Sequence, residues 1–237
     1  CRMVNSTSPL TGQQFQSYHM RAAEILRKNP FESKSDIAYK ILRSDILKGV
    51  FKPGDSIPQD LIAQALAMSR TPVKNALSKL LEEGFAERDK QGVFVKRVNI
   101  SEYVAFCEFR LSLEVGNVFF STRNASAADL AKIQKSLDKM KAAIDGDKPF
   151  RDVLKYDHEF HHLIMLAGKN QFFIKTFEEN MERLFFYQVS LLSEHNYPNM
   201  IHKHEKILMA LQERDEQLAQ QQMQNHLIYY VKNMFKL

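Results

Sequence analysis

Four side chains able to bind a metal ion recur on the apolar stripes of three helix-like segments in the second half of the chain. Asp157 and His161 are four residues apart, so they lie one above the other on a helix over residues 150–167. His204 and His226 fall among regularly spaced apolar residues of two later segments. Burying a carboxylate and three imidazoles is costly unless they pair with one another or share a cation. The pattern therefore predicts a buried site for a divalent metal.

The donor set limits which metal fits and what it could do. Three imidazoles and one carboxylate suit Zn²⁺ best, and they are also compatible with Ni²⁺, Mn²⁺ or Fe²⁺. Four protein ligands leave one or two coordination positions for water or a carboxylate oxygen. Three alternatives stay open: each histidine is a hydrogen-bonded core residue, the metal only stiffens a helical bundle, or it activates water in an enzyme. No further Asp or Glu is evidently placed as a general base, which counts against an enzyme.

Polar and basic residues cluster in a second region, residues 69–84. Val73, Leu77 and Leu80 repeat at helical spacing and form one apolar stripe, while polar and basic side chains occupy the other faces. A shorter apolar pattern over residues 58–66 precedes this segment. Two helices across a tight turn, the second basic at its start, predict a helix-turn-helix whose second helix enters a DNA major groove. An ordinary helical hairpin with a solvated face is the alternative.

Two strand-like runs follow, at residues 85–88 and 93–97. Asp89-Lys90-Gln91-Gly92 separates them, and its glycine can supply the positive φ of a tight hairpin. Such a hairpin would form a wing beside the helix-turn-helix. The residues predicted to contact DNA are Ser69, Arg70, Thr71, Lys74, Asn75, Lys79, Gln91 and Gly92.

The fold class follows from the change in pattern after the hairpin. From residue 101 the 237-residue chain shows roughly six helical patterns and no convincing strand, which predicts an all-α bundle. The fold is therefore expected to be mainly α, with an N-terminal winged helix-turn-helix (α+β) followed by the bundle. We expect an N-terminal extension at residues 1–32, partly disordered or helical, a DNA-binding domain at 33–97 and a metal-binding domain at 101–237.

The charge favours a protein that binds nucleic acid, and the hydropathy favours one that lies in the cytoplasm. The net charge is +5, and its excess lies mainly in residues 33–100, with 12 Lys and Arg against 8 Asp and Glu. No apolar run approaches the length of a membrane span, and the start of the chain does not resemble a secretion signal. Two cysteines do not make a disulfide framework.

The helix-turn-helix region resembles the winged-helix domain of the GntR family of bacterial transcription regulators. The resemblance runs from about residue 37 to residue 97, and it rests on Lys52-Pro53-Gly54-Asp55, Ile57-Pro58, Ser69-Arg70-Thr71-Pro72-Val73, Ala76-Leu77, Leu80, Glu83-Gly84 and Gly92-x-Val. The family usually has Val-Arg-Glu-Ala-Leu where this chain has Val73-Lys74-Asn75-Ala76-Leu77. Lysine lacks the planar fork of arginine, so an altered operator preference is expected.

The bundle resembles the FCD ligand-binding domain of the FadR subgroup of that family. Asp157-x-x-Phe160-His161, His204-x-x-Ile207 and His226-Leu227 are similar to its metal motif, and Phe109-Arg110-x-x-Leu113-Glu114 to its first helix. The resemblance implies that all four metal positions are filled and that Arg110 faces the carboxylate of an effector. A surface salt bridge between Arg110 and Glu114 is the other interpretation.

These observations together predict a homodimeric regulator, most simply a repressor, that binds a palindromic operator in double-stranded DNA. One recognition helix covers only a half-site, so two-fold symmetry is expected. A small organic acid would occupy the open metal positions and contact Arg110. Its differential affinity for one arrangement of the bundle would change the spacing of the recognition helices and lower DNA affinity.

Overall fold

Helices form almost all of the regular structure. The computed structural model describes residues 12–191 and 197–235, without the side chains of 12–16, 197, 198 and 230–235. The chain divides into two compact units, one ending at Val98 and the other beginning at Asn99. The disorder expected at the start of the chain lies mostly outside the described residues.

From residue 12 onward, where the structure describes it, the first unit consists of four helices and a hairpin. Its elements are α1 (Gly12–Lys28), α2 (Lys34–Leu47), α3 (Gln59–Ala65), α4 (Arg70–Glu82), β1 (Ala86–Asp89) and β2 (Gly92–Val95). The strands are antiparallel, with Ala86 opposite Val95 and Asp89 opposite Gly92. An isolated bridge between Ser56 and Phe94 adds the chain before α3 to the hairpin. This arrangement confirms the predicted winged helix-turn-helix.

Helix α4 forms where its apolar residues repeat every three or four positions. Val73, Leu77 and Leu80 are buried on one face of the helix. Pro72 lies in the first turn, where a missing backbone N–H costs no helical hydrogen bond. Ser69 occupies the N-cap position, although its side chain makes no capping hydrogen bond. Gly84 ends the helix with φ +78°.

The N-terminal helix packs on the winged-helix unit. Tyr18 and Ala22 of α1 are buried. Arg21 Nη1 lies 2.7 Å from Asp45 Oδ1 on α2, and this carboxylate is almost completely buried. Within the described residues, α1 contacts α2 and α3.

The second unit is an all-α bundle of six helices in the described part of the chain. These helices are α5 (Ile100–Asn124), α6 (Ala127–Asp145), α7 (Phe150–Ala167), α8 (Gln171–Leu191), α9 (Tyr197–Glu213) and α10 (Glu216–Phe235). Their core contains Ile133, Phe160, Ile207 and Leu211. None of the described helices is long and apolar enough to cross a membrane.

Buried polar contacts fix α5 against α7. Asn117 Nδ2 donates to the carbonyl oxygen of Ile164 over 3.2 Å, and Ser121 Oγ donates to the same oxygen over 2.6 Å. All three residues are buried. Hydrogen bonds in such an environment define one register between the helices, because any other would leave polar groups unpaired. The side chains that α5 and α7 carry into the bundle are therefore held in fixed positions.

Gly54 is required by the turn between α2 and α3. Its φ is +88°, and its N–H donates to the carbonyl of Val95 over 2.8 Å. A Cβ at this position would lie 2.7 Å from Arg97 Nε. We expect Gly54→Ala to lower the free energy of unfolding by about 1 kcal/mol or more, because alanine disfavours this backbone conformation.

Gly116→Ala is the matched control in the second unit. Gly116 lies inside α5, and an added Cβ would lie 3.6 Å from the ring of Phe173, an ordinary contact. We expect this variant to be neutral or stabilised by up to about 1 kcal/mol. Urea unfolding followed by circular dichroism measures both variants. Equal stability of Gly54→Ala and the unmodified chain would contradict the assigned role of Gly54.

Candidate functional site

Three helices of the bundle bring Asp157, His161, His204 and His226 together. The first two residues lie on α7, and the others lie on α9 and α10. One potential ligand atom from each of the four residues lies within 4.8 Å of all the others. All four side chains are buried, with at most 1% of the residue exposed. The sequence-predicted set therefore forms a single cluster.

Short distances within the cluster join nitrogen atoms to an oxygen atom and one nitrogen atom to another. His204 Nε2 lies 2.9 Å from Asp157 Oδ1, and His161 Nε2 lies 3.9 Å from the same oxygen. The Nε2 atoms of His161 and His226 are 3.0 Å apart. Two lone pairs that face each other at this distance repel unless a proton or a cation lies between them.

The cluster fits a divalent cation better than it fits a set of hydrogen bonds. Within the described part of the chain, neither Asp157 Oδ1 nor His204 Nε2 makes a well-aligned hydrogen bond, although the two atoms are 2.9 Å apart and buried. His204 Nδ1 lies 2.8 Å from the carbonyl oxygen of Met200, so it carries the ring proton and leaves the Nε2 lone pair available. Unsatisfied buried polar atoms are costly, and metal coordination would satisfy both.

Glu114 of α5 contacts His161 on the side of the ring that faces away from the cluster. Its Oε2 lies 2.5 Å from His161 Nδ1, on the opposite side of the ring from the Nε2 atom that faces the cluster. The other oxygen of Glu114 pairs with Arg110 Nε, one helical turn earlier. Glu114 and Arg110 are both buried. A carboxylate in this position fixes the tautomer of the imidazole and increases its basicity as a ligand.

Electrostatics favour the ionised form of Asp157 and the neutral forms of His161 and His226. Burial opposes ionisation of Asp157, but contact with His204 and the charges of His161 and Arg110 hold the pKa of Asp157 well below its usual range. Burial lowers the pKa of His161, and burial with the neighbouring His204 lowers the pKa of His226 further. An ionised carboxylate and neutral imidazoles are the metal-binding forms of these groups.

A small pocket lies between α5 and α8, next to this cluster. Its interior volume is about 10 Å³, room for about one water molecule, and its exposed wall area is apolar. Arg110 contributes to the lining. Arg110 therefore contacts both the pocket and Glu114, and Glu114 contacts His161. The salt bridge with Glu114 that the sequence suggested is present, but it is buried and not on the surface.

The predicted DNA-binding residues of the first unit are exposed, except for one half-buried glycine. Ser69, Arg70, Thr71, Lys74, Asn75 and Lys79 are all exposed on α4 or at its cap, and Gln91 and the half-buried Gly92 lie at the tip of the hairpin. Arg70 makes two contacts to Asp60 of α3, from Nε at 2.9 Å and from Nη2 at 3.0 Å. Both side chains are more than half exposed, so this ion pair is weak and can be exchanged for a nucleic acid.

Lys79 differs from the other basic residues of α4. Its ammonium lies 4.1 Å from the centroid of the Tyr39 ring and 3.9 Å from Asp36 Oδ1, both on α2. The side chain thus packs along the domain and is less available to DNA than Lys74. A tyrosine on the buried stripe of α2 is the only sequence signal for this contact.

Glu114→Gln tests whether this carboxylate supports the cluster. The amide cannot attract the proton of His161 Nδ1 as an ionised carboxylate does, so we expect the affinity for Zn²⁺ to fall about 10- to 100-fold. Competition with a chromophoric chelator measures it. Glu108→Gln is the control, because Glu108 is exposed on the same helix. Equal zinc affinities of the Glu114→Gln and Glu108→Gln variants would contradict the role of Glu114.

Comparison with known proteins gives matches in both units. Residues 34–95 match the model of bacterial regulatory proteins of the gntR family, and residues 105–228 match that of the FCD domain. The chain is similar to the HTH-type transcriptional repressor RspR of Escherichia coli (strain K12), with 24% identity over 84% of this chain and 88% of the relative. It is also similar to the Nta operon transcriptional regulator of Aminobacter aminovorans, with 27% identity over 70% and 79% of the two chains.

Solved structures show the same fold. A putative transcriptional regulator GntR from Rhodococcus sp. RHA1 aligns with a TM-score of 0.73 at 19% identity, over 86% of this chain and 99% of that one. At this identity the likeness concerns the architecture alone. It agrees with the helix-turn-helix, hairpin and helical bundle described above.

Proposed function

The chain belongs to the GntR family of DNA-binding transcriptional regulators and carries an FCD domain, and from this we propose that it is a repressor controlled by a small carboxylate effector. The observation that carries the proposal is the pairing of an exposed polar helix in one unit with a buried metal-binding cluster in the other. Such a protein would act in the cytoplasm, where it meets the chromosome.

DNA recognition would depend on the exposed face of α4. Arg70, Thr71, Lys74 and Asn75 would contact base edges and phosphates from the major groove, and the hairpin tip at Gln91 would contact the adjacent backbone. Because α4 covers one half-site, we propose that two copies of the chain bind a palindromic operator.

The four clustered side chains would hold the metal, with Asp157 as an oxygen ligand and the three histidines as nitrogen ligands. Zn²⁺ suits this set best, and Ni²⁺, Mn²⁺ and Fe²⁺ are also compatible. When bound, the ion would supply Lewis-acid positions for a carboxylate oxygen. Met200 and Glu114 orient two of the imidazoles for this purpose.

Arg110 would bind the effector. Its Nε pairs with Glu114, but its buried Nη2 has no hydrogen-bond partner among the residues that the structure describes. A carboxylate would satisfy this donor with a charge-assisted hydrogen bond. By preferring one arrangement of the bundle, the bound acid would shift the population of the dimer and lower its DNA affinity.

We test the proposal in two steps with the full-length protein. Selection from a random duplex library, followed by fluorescence anisotropy, gives the operator and its affinity. Metal analysis and addition of small carboxylic acids then show whether affinity changes with each. An unchanged operator affinity with every acid, in protein that retains metal, would favour a purely structural metal. Metal-dependent turnover of a substrate without DNA binding would favour an enzyme.

A further inference from the structure

Two adjacent residues of α8 make hydrogen bonds to two different helices. Tyr187 Oη donates to Glu102 Oε1 on α5 over 2.8 Å. Gln188 Oε1 accepts from His158 Nε2 on α7 over 2.6 Å, because an amide oxygen has no proton to donate. Tyr187, Gln188 and His158 are buried. Helix α8 therefore joins the helix that carries two of the cluster residues to the first turn of α5.

The two ends of this set of contacts lie at the cluster and at the boundary between the units. His158 directly follows Asp157, so the two residues share one turn of α7 and move together. Glu102 is the third residue of α5, and its N–H donates to the N-cap side chain of Asn99 over 2.6 Å. Asn99 is the first residue of the second unit, directly after Val98 ends the first. The contacts thus run from the cluster to the point where the chain enters the bundle.

We propose that α8 transmits occupancy of the metal-binding cluster to the first turn of α5. The four residues that do so, called here the α8 relay, are in order His158, Gln188, Tyr187 and Glu102. The inference rests on the proposed function and specifies how its regulation passes through the bundle. A bound ion restricts Asp157 and the turn of α7 around it. Ordering of that turn lowers the entropic cost of ordering the residues in contact with it, and so favours the closed first turn of α5.

Arg183 of α8 reinforces the end of the relay that contacts α5. Its Nε donates to Tyr187 Oη over 2.7 Å, and its Nη2 lies 3.1 Å from Glu102 Oε1. The hydroxyl accepts from the guanidinium and donates to the carboxylate, so the two hydrogen bonds polarise one another. The ring of Tyr187 also lies edge-on to Tyr103 and Phe106, with centroids 6.0 Å and 5.3 Å away. The start of α5 is therefore held by α8 through both polar and aromatic contacts.

The direct contacts between α5 and α7 act on a different part of α5. Glu114 contacts His161, and Asn117 and Ser121 donate to a carbonyl of α7. These three residues of α5 lie roughly three turns or more beyond Glu102. They can restrain the middle of α5 when the cluster is occupied, whereas the relay acts on its first turn. The position of the restrained residues therefore distinguishes the relay from the direct contacts.

Hydrogen exchange of the full-length protein in metal-free and Zn²⁺-loaded forms tests the relay without DNA. Mass spectrometry compares the backbone amides of residues 100–106 with those of residues 114–124. We expect Zn²⁺ to slow exchange of residues 100–106 by about fivefold or more, the lower end of usual allosteric coupling. The Tyr187→Phe variant keeps the ring and loses the hydroxyl, so it should keep its zinc affinity and lose this effect at residues 100–106. An equal effect of Zn²⁺ in the variant and the unmodified protein would overturn the inference.

Two further variants test the order of the contacts and the specificity of the effect. Tyr156→Phe is the matched control, because it removes a hydroxyl from α7 outside the relay, and it should keep the full effect of Zn²⁺. Gln188→Leu removes the contact with His158 and should lose the effect as Tyr187→Phe does. Contacts in series are not additive, so the double variant should lose no more than either single one. Additive losses would contradict a single relay. Circular dichroism checks that each variant is folded.

Failure of the inference is distinguishable from failure of the proposed function. If Zn²⁺ does not slow exchange of residues 100–106 in the unmodified protein, the relay is wrong. If an acid changes the operator affinity of Tyr187→Phe as much as that of the unmodified protein, the proposed regulation holds and does not pass through the relay. If exchange depends on Zn²⁺ and on Tyr187 but no acid alters operator affinity, the relay holds within the bundle and the proposed regulation fails.

Discussion

The His204→Ala variant is expected to lose at least about 100-fold in zinc affinity, more than the 10- to 100-fold usual for an outer-shell change. His204 is fully buried on α9, and its Nε2 lies 2.9 Å from Asp157 Oδ1. Alanine removes this donor and also leaves the buried carboxylate without its closest partner. Elemental analysis after gel filtration and chelator competition measure the loss.

The same variant separates metal loss from simple loss of packing. A ligand at 100 times its Kd stabilises the folded state by about 2.7 kcal/mol, which corresponds to roughly 5–10 °C in Tm for a unit of this size. Removing the metal with a chelator should therefore lower the Tm of the unmodified protein. The Tm of His204→Ala should respond much less, because the variant retains little bound metal.

His202→Ala provides the matched control for this experiment. His202 lies on the same helix two residues earlier, and its side chain is 64% exposed. We expect it to bind one equivalent of zinc with unchanged affinity and to keep the chelator-dependent change in Tm. A His204→Ala variant with a full equivalent of tightly bound zinc would exclude His204 from the site.

The helices and their inward faces were predictable because apolar spacing is a local property. The pattern over residues 150–167 predicted a helix with the bounds that α7 has, and it placed Asp157 and His161 on one inner face. The exposed polar face of α4 was predictable in the same way. Its buried apolar residues repeat every three or four positions, so the polar residues at the other positions face solvent. Periodicity of this kind requires no knowledge of the neighbouring elements.

The roles of Glu114 and Arg110 could not be derived from local patterns. An oppositely charged pair four residues apart usually lies on a solvated helix face. Here Asn117 and Ser121 fix α5 against α7, and this tertiary contact buries both charges behind His161. Only the resemblance to a family pointed to Arg110, and no signal assigned Glu114 to the site.

The packing of separate segments against one another also could not be predicted from the sequence. Arg21 pairs with Asp45 across 24 residues, which decides that α1 lies on α2. Lys79 is predicted to contact DNA with the rest of α4, and its ammonium also lies over the ring of Tyr39. In both cases a charged side chain contacts a residue of another helix. Helical periodicity alone does not specify how two helices cross, so it could not predict these contacts.

Arg70→Ala is expected to weaken binding to the specific operator by about 1–3 kcal/mol, or roughly 5- to 150-fold in Kd. Arg70 is the first residue of α4, its side chain is 74% exposed, and Asp60 orients its guanidinium with two contacts. An exposed ion pair contributes little stability, so DNA can replace Asp60 at small cost. Fluorescence anisotropy with the selected operator and a scrambled duplex measures both affinities.

Two further variants show which feature of the operator Arg70 recognises. Arg70→Lys keeps the charge but loses the planar fork, so it should retain the salt dependence of binding and lose discrimination at one base position if the contact is to guanine. Lys175→Ala removes one positive charge from an exposed position on α8 and should leave operator affinity unchanged, because that helix belongs to the other unit. Metal content should stay at the unmodified level in all three proteins. If Arg70→Ala and Lys175→Ala bind the operator equally well, α4 does not begin its DNA contact at Arg70, and recognition must depend on other residues of this face.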